Sequence, residues 1–174
     1  MNTKTCHNCK GLSIRSGSRL AVAALAGVFT TAVTAEESHW VSGAACEAIN
    51  SNYSAQSLGG FGAVANKSTT ASLQVGCPTA PDHFNYNYIE VTVSATKKTS
   101  APMSCAVFSR DFGNTAGVVK TRSSTATGNV SFNMPDIDIQ TWLFHTIRCD
   151  IPKAGGSGGS TRSSVNGYNY REYN

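Results

Sequence analysis

The first residues of the chain whose types could support chemistry are Cys6 and Cys9, which stand in C-x-x-C spacing around His7. Such a pair acts as a redox dithiol in a βαβ context, and as half of a zinc site when a second ligand pair accompanies it. The sequence offers neither context. We therefore interpret the pair as part of a leader that precedes the folded domain, and not as a functional site.

The histidines beyond this leader are His39, His83 and His145. A serine hydrolase needs a nucleophile, a histidine base and an orienting acid, and the sequence has no G-x-S-x-G nucleophile elbow. His145 shares the phase of Leu143 and Ile147, which favours a hydrogen-bonded core histidine. The pair Asp82-His83 lies in a predicted loop without an H-x-H or H-E-x-x-H pattern. We assign no catalytic, metal-ligating or cofactor-binding residue and expect no cofactor.

A pair of carboxylates, Asp136 and Asp138, alternates with Ile137 and Ile139 in "MPDIDIQ". Two carboxylates on one strand face are candidate calcium ligands, but calcium takes six to eight oxygen ligands. No loop dense in Asp, Asn and Gly surrounds this pair. The pattern therefore favours a solvated strand entry over a metal site.

Two tyrosine pairs have i, i+2 spacing, Tyr86 with Tyr88 and Tyr168 with Tyr170. On a strand this spacing places both rings of a pair on one face. Exposed tyrosines beside asparagines are candidates for stacking on sugar rings, so these four residues are our candidate ligand-stacking residues. The alternative is that the rings cover the edge of a β-sandwich as amphipathic packing.

Four cysteines, Cys46, Cys77, Cys105 and Cys149, follow the leader. An even cysteine count in an exported protein indicates two disulfides, and four cysteines allow three pairings. We favour Cys46 with Cys77 and Cys105 with Cys149, because each pair then lies within one half of the chain. Spacing alone does not decide between the pairings. A zinc site built from the four is disfavoured, because no close pair is present to begin one.

Residues 1–35 have the features of a secretory signal peptide. A leader with four basic residues and no acidic residue precedes the uncharged run "LAVAALAGVFTTAVTA", which ends in small residues. We predict cleavage between Ala35 and Glu36, leaving residues 36–174 as one domain. The apolar run is too short for a comfortable membrane span, so we expect no span after cleavage. The predicted location is secreted or periplasmic, with a bacterial source.

The charge balance argues against a nucleic-acid partner. The leader holds four of the 14 basic residues of the chain and none of the 10 acidic ones, so residues 36–174 are balanced in charge. A nucleic-acid binder carries a clustered basic footprint, whereas the basic residues here are scattered. Three N-x-S sequons, at Asn52, Asn66 and Asn129, matter only in a cell that glycosylates exported asparagines.

The apolar pattern beyond residue 70 has period two, which is typical of half-buried strands. In "YIEVTVSA", for example, Ile89, Val91 and Val93 share one face and Glu90 and Thr92 the other. Turn residues separate seven or eight such runs, and no long window has helical periodicity. The final run, "SSVNGYNYREY", is predicted to be a strand with an irregularity at the glycine. The pattern predicts an all-β fold, a single antiparallel β-sandwich or jelly roll with two disulfides.

This layout resembles that of small exported bacterial β-sandwich proteins of unknown function. The residues that carry the resemblance are His39-Trp40, Cys46, Cys77-Pro78, Ser104-Cys105, Ile147 to Pro152 and Tyr170-Arg171-Glu172. The resemblance spans most of residues 36–174 and implies a compact disulfide-bearing β domain. It supplies no activity and no catalytic residue.

Chaperone–usher pilins are a second comparison, since they are exported β-sandwiches of similar size with a penultimate tyrosine, here Tyr173. Pilins end in an alternating apolar strand preceded by a glycine at a set distance. Here Asn169 and Arg171 share the phase of Tyr173, and Thr161 stands where the glycine is expected. These departures argue against a pilin.

From these observations we interpret the domain as a secreted, disulfide-stabilised binding or structural module. Its expected partner is a carbohydrate or a protein surface. The alternatives are a secreted hydrolase that uses His83 or His145, and a subunit of a surface assembly. A cleft joining a histidine and a carboxylate would favour the hydrolase, whereas a flat strip of exposed tyrosine and tryptophan would favour binding.

Overall fold

The computed structural model describes residues 36–51, 56–58, 62–80, 86–110, 116–139 and 144–174. All of them lie in the compact unit Val33–Asn174. The predicted leader, with its cleavage point after Ala35, lies outside the described residues, and so does His83. No helix among the described residues is long and apolar enough to cross a membrane.

Strands dominate the described residues. They are β1 (Glu37–Ser42), β2 (Glu47–Ala48), β3 (Gln56–Leu58), β4 (Val64–Asn66), β5 (Leu73–Pro78), β6 (Tyr88–Lys97), β7 (Met103–Arg110), β8 (Ala116–Ser124), β9 (Gly128–Asp138), β10 (Phe144–Ile151) and β11 (Ser164–Tyr173). Two single 3-10 turns, Gly43–Ala45 and Gly159–Thr161, interrupt the connections. The predicted period-two runs therefore correspond to strands β5 to β7 and β9 to β11.

The strands form two antiparallel sheets. Sheet A has the order β3-β4-β11-β6-β9, with β1 also paired to β11. Sheet B has the order β2-β5-β10-β7-β8. Strand β11 is central in sheet A, since β1 pairs with its residues 167–172, β4 with residues 164–165, and β6 runs along its other side. The prediction of an all-β antiparallel sandwich with two disulfides is confirmed.

The core forms from the inward faces of both sheets, as the alternating pattern requires. On β6, Ile89, Val91, Val93 and Ala95 are at most 1% exposed, while the side chains between them face outward. The inward residues of the other strands complete the core: Leu73, Val75, Met103, Val107, Phe132, Met134, Ile137, Ile147, Ile151 and Val165. Burial of this apolar surface is the main stabilising term of the fold.

Two bulges adjust the register of sheet A. On β9, Met134 and Ile137 pair with Val91 and Ile89, so three residue steps on β9 match two on β6. Asp136 absorbs the extra step with a φ of 54°, and both flanking apolar side chains stay buried. The second bulge lies between Val165 and Gly167 of β11, where the sequence predicted an irregularity.

The disulfides join Cys46 to Cys77 and Cys105 to Cys149, which are the pairings favoured from the sequence. Cys105 on β7 and Cys149 on β10 are directly opposite each other in sheet B. All four cysteines are at most 1% exposed. In the chain-entropy model each loop closure stabilises the fold by about 3–4 kcal/mol, and often less in practice.

Gly43 is a position where close packing requires glycine. A Cβ built there would lie 2.3 Å from the carbonyl oxygen of Val165, a backbone atom that cannot move aside. We expect Gly43→Ala to lower the free energy of unfolding by about 2 kcal/mol, measured by urea denaturation. Gly159→Ala is the matched control, because a Cβ at Gly159 meets nothing within 4 Å. Equal stability of the two variants would contradict the predicted clash.

Candidate functional site

The outer face of sheet A has the largest exposed aromatic ring in the described residues. Trp40 on β1 is 70% exposed. It points outward because β1 alternates, with Ser38, Trp40 and Ser42 on the solvent side and Val41 packed against the core. A tryptophan left this open on a folded surface, amid polar side chains, is an observation that needs a reason.

Polar side chains extend across the strands from Trp40 in one row. Trp40 is opposite Asn169 on β11, Asn169 is opposite Thr92 on β6, and Thr92 is opposite Asn133 on β9. The Asn169 amide nitrogen donates to the Ser38 hydroxyl oxygen at 3.0 Å. The amide of Asn169 is therefore held in one orientation before any ligand arrives. We call this row, together with the other outward side chains of β1, β11, β6 and β9, the sheet A face.

Two shallow depressions lie on either side of Trp40. One has a volume of about 260 Å³ and is lined by Ser38, Trp40, Glu90, Thr92, Asn169 and Arg171. The other has a volume of about 220 Å³ and is lined by Trp40, Val41, Ser42, Ser94, Asn166 and Gly167. Gly167 carries no side chain, so the backbone of β11 forms part of the floor of the second depression. The indole ring thus lies between two concave surfaces that follow the strand direction.

Arg171 is held by two carboxylates beside the first depression. Its Nε lies 2.8 Å from Glu36 and its Nη2 lies 2.9 Å from Glu90. Its guanidinium carbon is also 5.8 Å from the centre of the Tyr173 ring. These contacts fix the guanidinium group in place, although the side chain is 45% exposed.

Tyr88 is exposed on this same face, as a ligand-stacking residue would be. The ring is 41% exposed and stacks on Tyr173 at a centroid distance of 5.8 Å. The Tyr173 hydroxyl donates to the Asp136 carboxylate at 2.7 Å and accepts from the Asp136 backbone N–H at 3.1 Å. Burial, followed by this hydrogen bond, raises the pKa of Tyr173. The bulge at Asp136 thus anchors the ring that supports Tyr88.

The other candidate stacking residues do not belong to this face. Tyr168 and Tyr170 share one face of β11, as the spacing indicated, but that face is the inner one, and they are 0% and 6% exposed. Their hypothesised role in ring stacking therefore needs correction, because a ligand at the surface cannot reach either ring. Tyr86 precedes β6 and packs, partly buried, against the core. The packing alternative is the one that describes these three rings.

Burial of Tyr168 has a consequence at high pH. Desolvation, followed by repulsion from Tyr170, raises the pKa of Tyr168 to about 12. Between pH 10 and 12 the unfolded chain loses a proton that the folded chain keeps, so stability is full below pH 10 and falls as pH rises toward 12. The expected loss from this residue is about 1.4 kcal/mol per pH unit in that range. Urea denaturation from pH 9 to 12 should give a shallower decline for Tyr168→Phe, and identical slopes would contradict the argument.

His39 lies on the inner side of β1, opposite Tyr170. The two rings stack at 4.7 Å, and the imidazole Nε2 lies 3.2 Å from Glu37 and 3.9 Å from the buried Glu172. These contacts hold the first half of β1, at Glu37 and His39, against β11. They therefore support the strand that presents Trp40 on its other side.

His145 is a core histidine, in agreement with its phase in the sequence. Its Nδ1 lies 2.7 Å from the Ser109 hydroxyl oxygen, and the two residues are 4% and 0% exposed. A nucleophile and base in contact would be of interest at a surface, but a substrate cannot reach this pair in the folded domain. Within the part of the chain that the structure describes, no three His, Cys, Asp or Glu side chains are grouped to hold a metal ion.

Sheet B offers a contrasting outer face. A depression of about 250 Å³ there is lined in part by Gln74, Phe108 and Arg148. The Arg148 guanidinium lies over the Phe108 ring at 5.3 Å and donates to the Gln74 side-chain oxygen at 2.6 Å. The aromatic ring on this side is therefore covered, whereas Trp40 on the other side is open.

Trp40 is the residue that sequence reasoning missed. The His39-Trp40 pair contributed only to a resemblance, and no binding role was predicted for the tryptophan. The signal available was the alternation of "ESHWVS", in which serines flank the tryptophan at i−2 and i+2. That alternation indicates that Trp40 shares the polar, outward phase of the strand.

No protein-family model matches the chain, and no curated protein matches it. Similar solved structures include the CBM36-1 domain of a multidomain xylanase from the hindgut metagenome of Trinervitermes trinervoides. It has 9% sequence identity and a TM-score of 0.48, with 79% of this chain and 98% of that domain covered. The low-affinity xylan-binding module CBM86 of Roseburia intestinalis has 12% identity and a TM-score of 0.45, with coverage of 78% and 94%.

A third similar structure contains the CBM22-1 and GH10 modules of an endo-1,4-beta-D-xylanase of Clostridium thermocellum in complex with xylohexaose. Its identity is 9% and its TM-score 0.48, and the match covers 81% of this chain and 28% of that one. The class that the fold and its covalent links define is a small disulfide-stabilised β-sandwich.

Proposed function

We propose that this domain is a glycan-binding module and that the sheet A face holds an extended polysaccharide chain. The observation that carries the proposal is Trp40, 70% exposed at one end of a row of hydroxyl and amide side chains that crosses sheet A. A carbohydrate is the ligand whose chemistry matches that arrangement.

A sugar ring combines an apolar C–H face with a rim of hydroxyl groups. The flat indole of Trp40 offers a surface for the apolar face, and it gains from desolvation when a ring covers it. Because the fold leaves this ring uncovered, the domain does not lose packing when the ring is used for binding. Tyr88, supported by Tyr173, is a second open ring on the same face.

The row beside Trp40 suits the hydroxyl rim. Amide side chains offer both donors and acceptors, and hydroxyl side chains act as either, which is the versatility that sugar hydroxyls require. Asn169 is fixed by Ser38, and the Asn166 amide donates to the Thr96 hydroxyl at 2.9 Å. Such fixed side chains lose little rotamer freedom on binding, which favours affinity.

The length of the face supports an oligosaccharide rather than a single sugar. The outward side chains of β1 from Ser38 to Ser42 span about 14 Å at the rise of an antiparallel strand. Depressions on both sides of Trp40 continue the surface along that direction. We therefore propose a chain that follows the strands and crosses the indole at its middle.

An extracellular or periplasmic location is part of the proposal. Two disulfides persist in oxidising compartments and are rare in the cytosol. The signal peptide predicted over residues 1–35 would direct export, and polysaccharides are abundant outside the cell.

Affinity electrophoresis of the purified chain tests the proposal. Native gels containing one soluble polysaccharide each are compared with a gel lacking polysaccharide, with serum albumin as the non-binding control. We expect retardation by at least one polysaccharide, with the affinity then measured by titration calorimetry. Retardation no greater than that of albumin, relative to the gel without polysaccharide, across neutral, anionic and amino-sugar polymers would overturn the proposed function.

A further inference from the structure

We infer that the sheet A face selects uncharged polysaccharide chains and rejects polyuronates, an inference that rests on the proposed function. It concerns the charge of the ligand, which neither the exposed ring nor the polar row specifies. The contacts of Arg171 and the charges of the side chains around it determine which ligand charge this face accepts.

Arg171 is the cation among the residues lining the first depression, and two of its three guanidinium nitrogens already face protein carboxylates. Glu36 and Glu90 each lie within 3 Å of one of its nitrogens, and Tyr173 lies against its plane. A ligand carboxylate that approached this guanidinium group would therefore lie beside two protein carboxylates, and their repulsion offsets its attraction to the arginine.

The rest of the face is acidic. Asp136 and Asp138 on β9 are exposed at the end of the face nearest Tyr88, and Asp138 is opposite Tyr88 in register. Among the described side chains at this end of the face, Glu36, Glu90, Asp136 and Asp138 are acidic and Arg171 is basic. Lys98 follows the far end of β6, beyond Thr96, and is separated from the group along the length of the strand. A polyanion that follows the strands toward Tyr88 therefore meets a field of its own sign at that end of the face.

The size of the effect follows from screening. Interactions at an exposed surface act over about 8–10 Å at physiological salt, which covers the distance between neighbouring strands. We expect an uncharged polymer to bind at least about tenfold more tightly than its carboxylated counterpart at low ionic strength, with a smaller gap at high salt.

Matched polymer pairs provide the test: hydroxyethyl against carboxymethyl cellulose, arabinoxylan against glucuronoxylan, and methyl-esterified against de-esterified homogalacturonan. The purified chain is run in affinity gels with each, at low salt and at high salt. The variant Asp138→Asn should lower the ratio of the affinities for the uncharged and the carboxylated polymer by roughly threefold, since it removes one repelling charge. Asp150→Asn, the same change on the outer face of sheet B, should leave the gap as it is.

The outcomes separate the two proposals. A carboxylated polymer that binds as tightly as its uncharged partner, or more tightly, overturns the inference while leaving glycan binding in place. A gap that Asp138→Asn does not change overturns its electrostatic cause. Retardation by no member of any pair overturns the proposed function, and the inference with it.

Discussion

Replacement of Trp40 by alanine is expected to weaken polysaccharide binding by roughly 30-fold or more. Truncating a central aromatic side chain of a binding surface typically costs at least about 2 kcal/mol, and about 1.4 kcal/mol corresponds to a tenfold change in affinity. Trp40 is 70% exposed, so its loss removes binding surface without opening a cavity in the core. Titration calorimetry with the polysaccharide that retards the wild-type chain measures the change.

Two further variants make this test specific. Trp40→Phe keeps a flat ring and should retain part of the affinity. Ile49→Ala is the matched control, because Ile49 is 45% exposed and lies beside Gly76 of sheet B, away from the sheet A face. Unfolding temperatures of all three variants should stay within a few degrees of the wild type. Binding by Trp40→Ala within threefold of the wild type would remove the indole from the proposed site.

The largest effect on stability is expected for Asn66→Asp. The buried Asn66 amide nitrogen donates to the carbonyl oxygens of Ala71, Ile151 and Pro152 at 2.9–3.2 Å. An aspartate there replaces the donor by a carboxylate oxygen that faces three carbonyl oxygens in a 0% exposed site. We expect the free energy of unfolding to fall by about 3–5 kcal/mol, which for a domain of this size lowers the melting temperature by about 10 °C.

Asn129→Asp is the matched control, since Asn129 is the exposed member of two described N-x-S sequons and Asn66 the buried one. Its stability should stay within about 0.5 kcal/mol of the wild type. Calorimetry and urea denaturation measure both variants. Equal melting temperatures for the two would show that the Asn66 hydrogen bonds contribute little, and that the segment ending β4 is held by other contacts.

The strands of the sandwich could be predicted because each of them is half-buried. In β6 the alternation of Ile89, Val91 and Val93 with polar residues encodes both the strand and its inward face. The pairing of Cys105 with Cys149 was also within reach, since both lie in the inward phase of long strands. The bulge at Asp136 was not predicted, although the apolar residues change phase there, from Phe132 and Met134 to Ile137 and Ile139. The register with β6 identifies this change as a bulge within one strand and not as the start of a new one.

The candidate site was harder to predict than the fold. The i, i+2 rule put Tyr168 and Tyr170 on one face but could not say which face, because β11 is central and carries large side chains on both sides. Asn169 and Arg171 are polar and alternate with the two tyrosines, so they indicate the outward face of β11. Both tyrosines therefore face inward. The alternation of β1 places Trp40 outward, but it could not show which side chains surround the ring, since those come from strands more than 50 residues away in the sequence.

The central position of β11 also determines the order in which the strands of sheet A can pair. Strands β1, β4 and β6 all pair with Ser164–Tyr173, so none of these pairings exists while that segment is still inside the ribosome. Closing them brings together residues separated by 68 to 135 positions, the kind of distant contact that slows assembly. Without β11, the described strands of sheet A can form only two separate pairs, β3 with β4 and β6 with β9, whereas every described pairing of sheet B lies within residues 47–151.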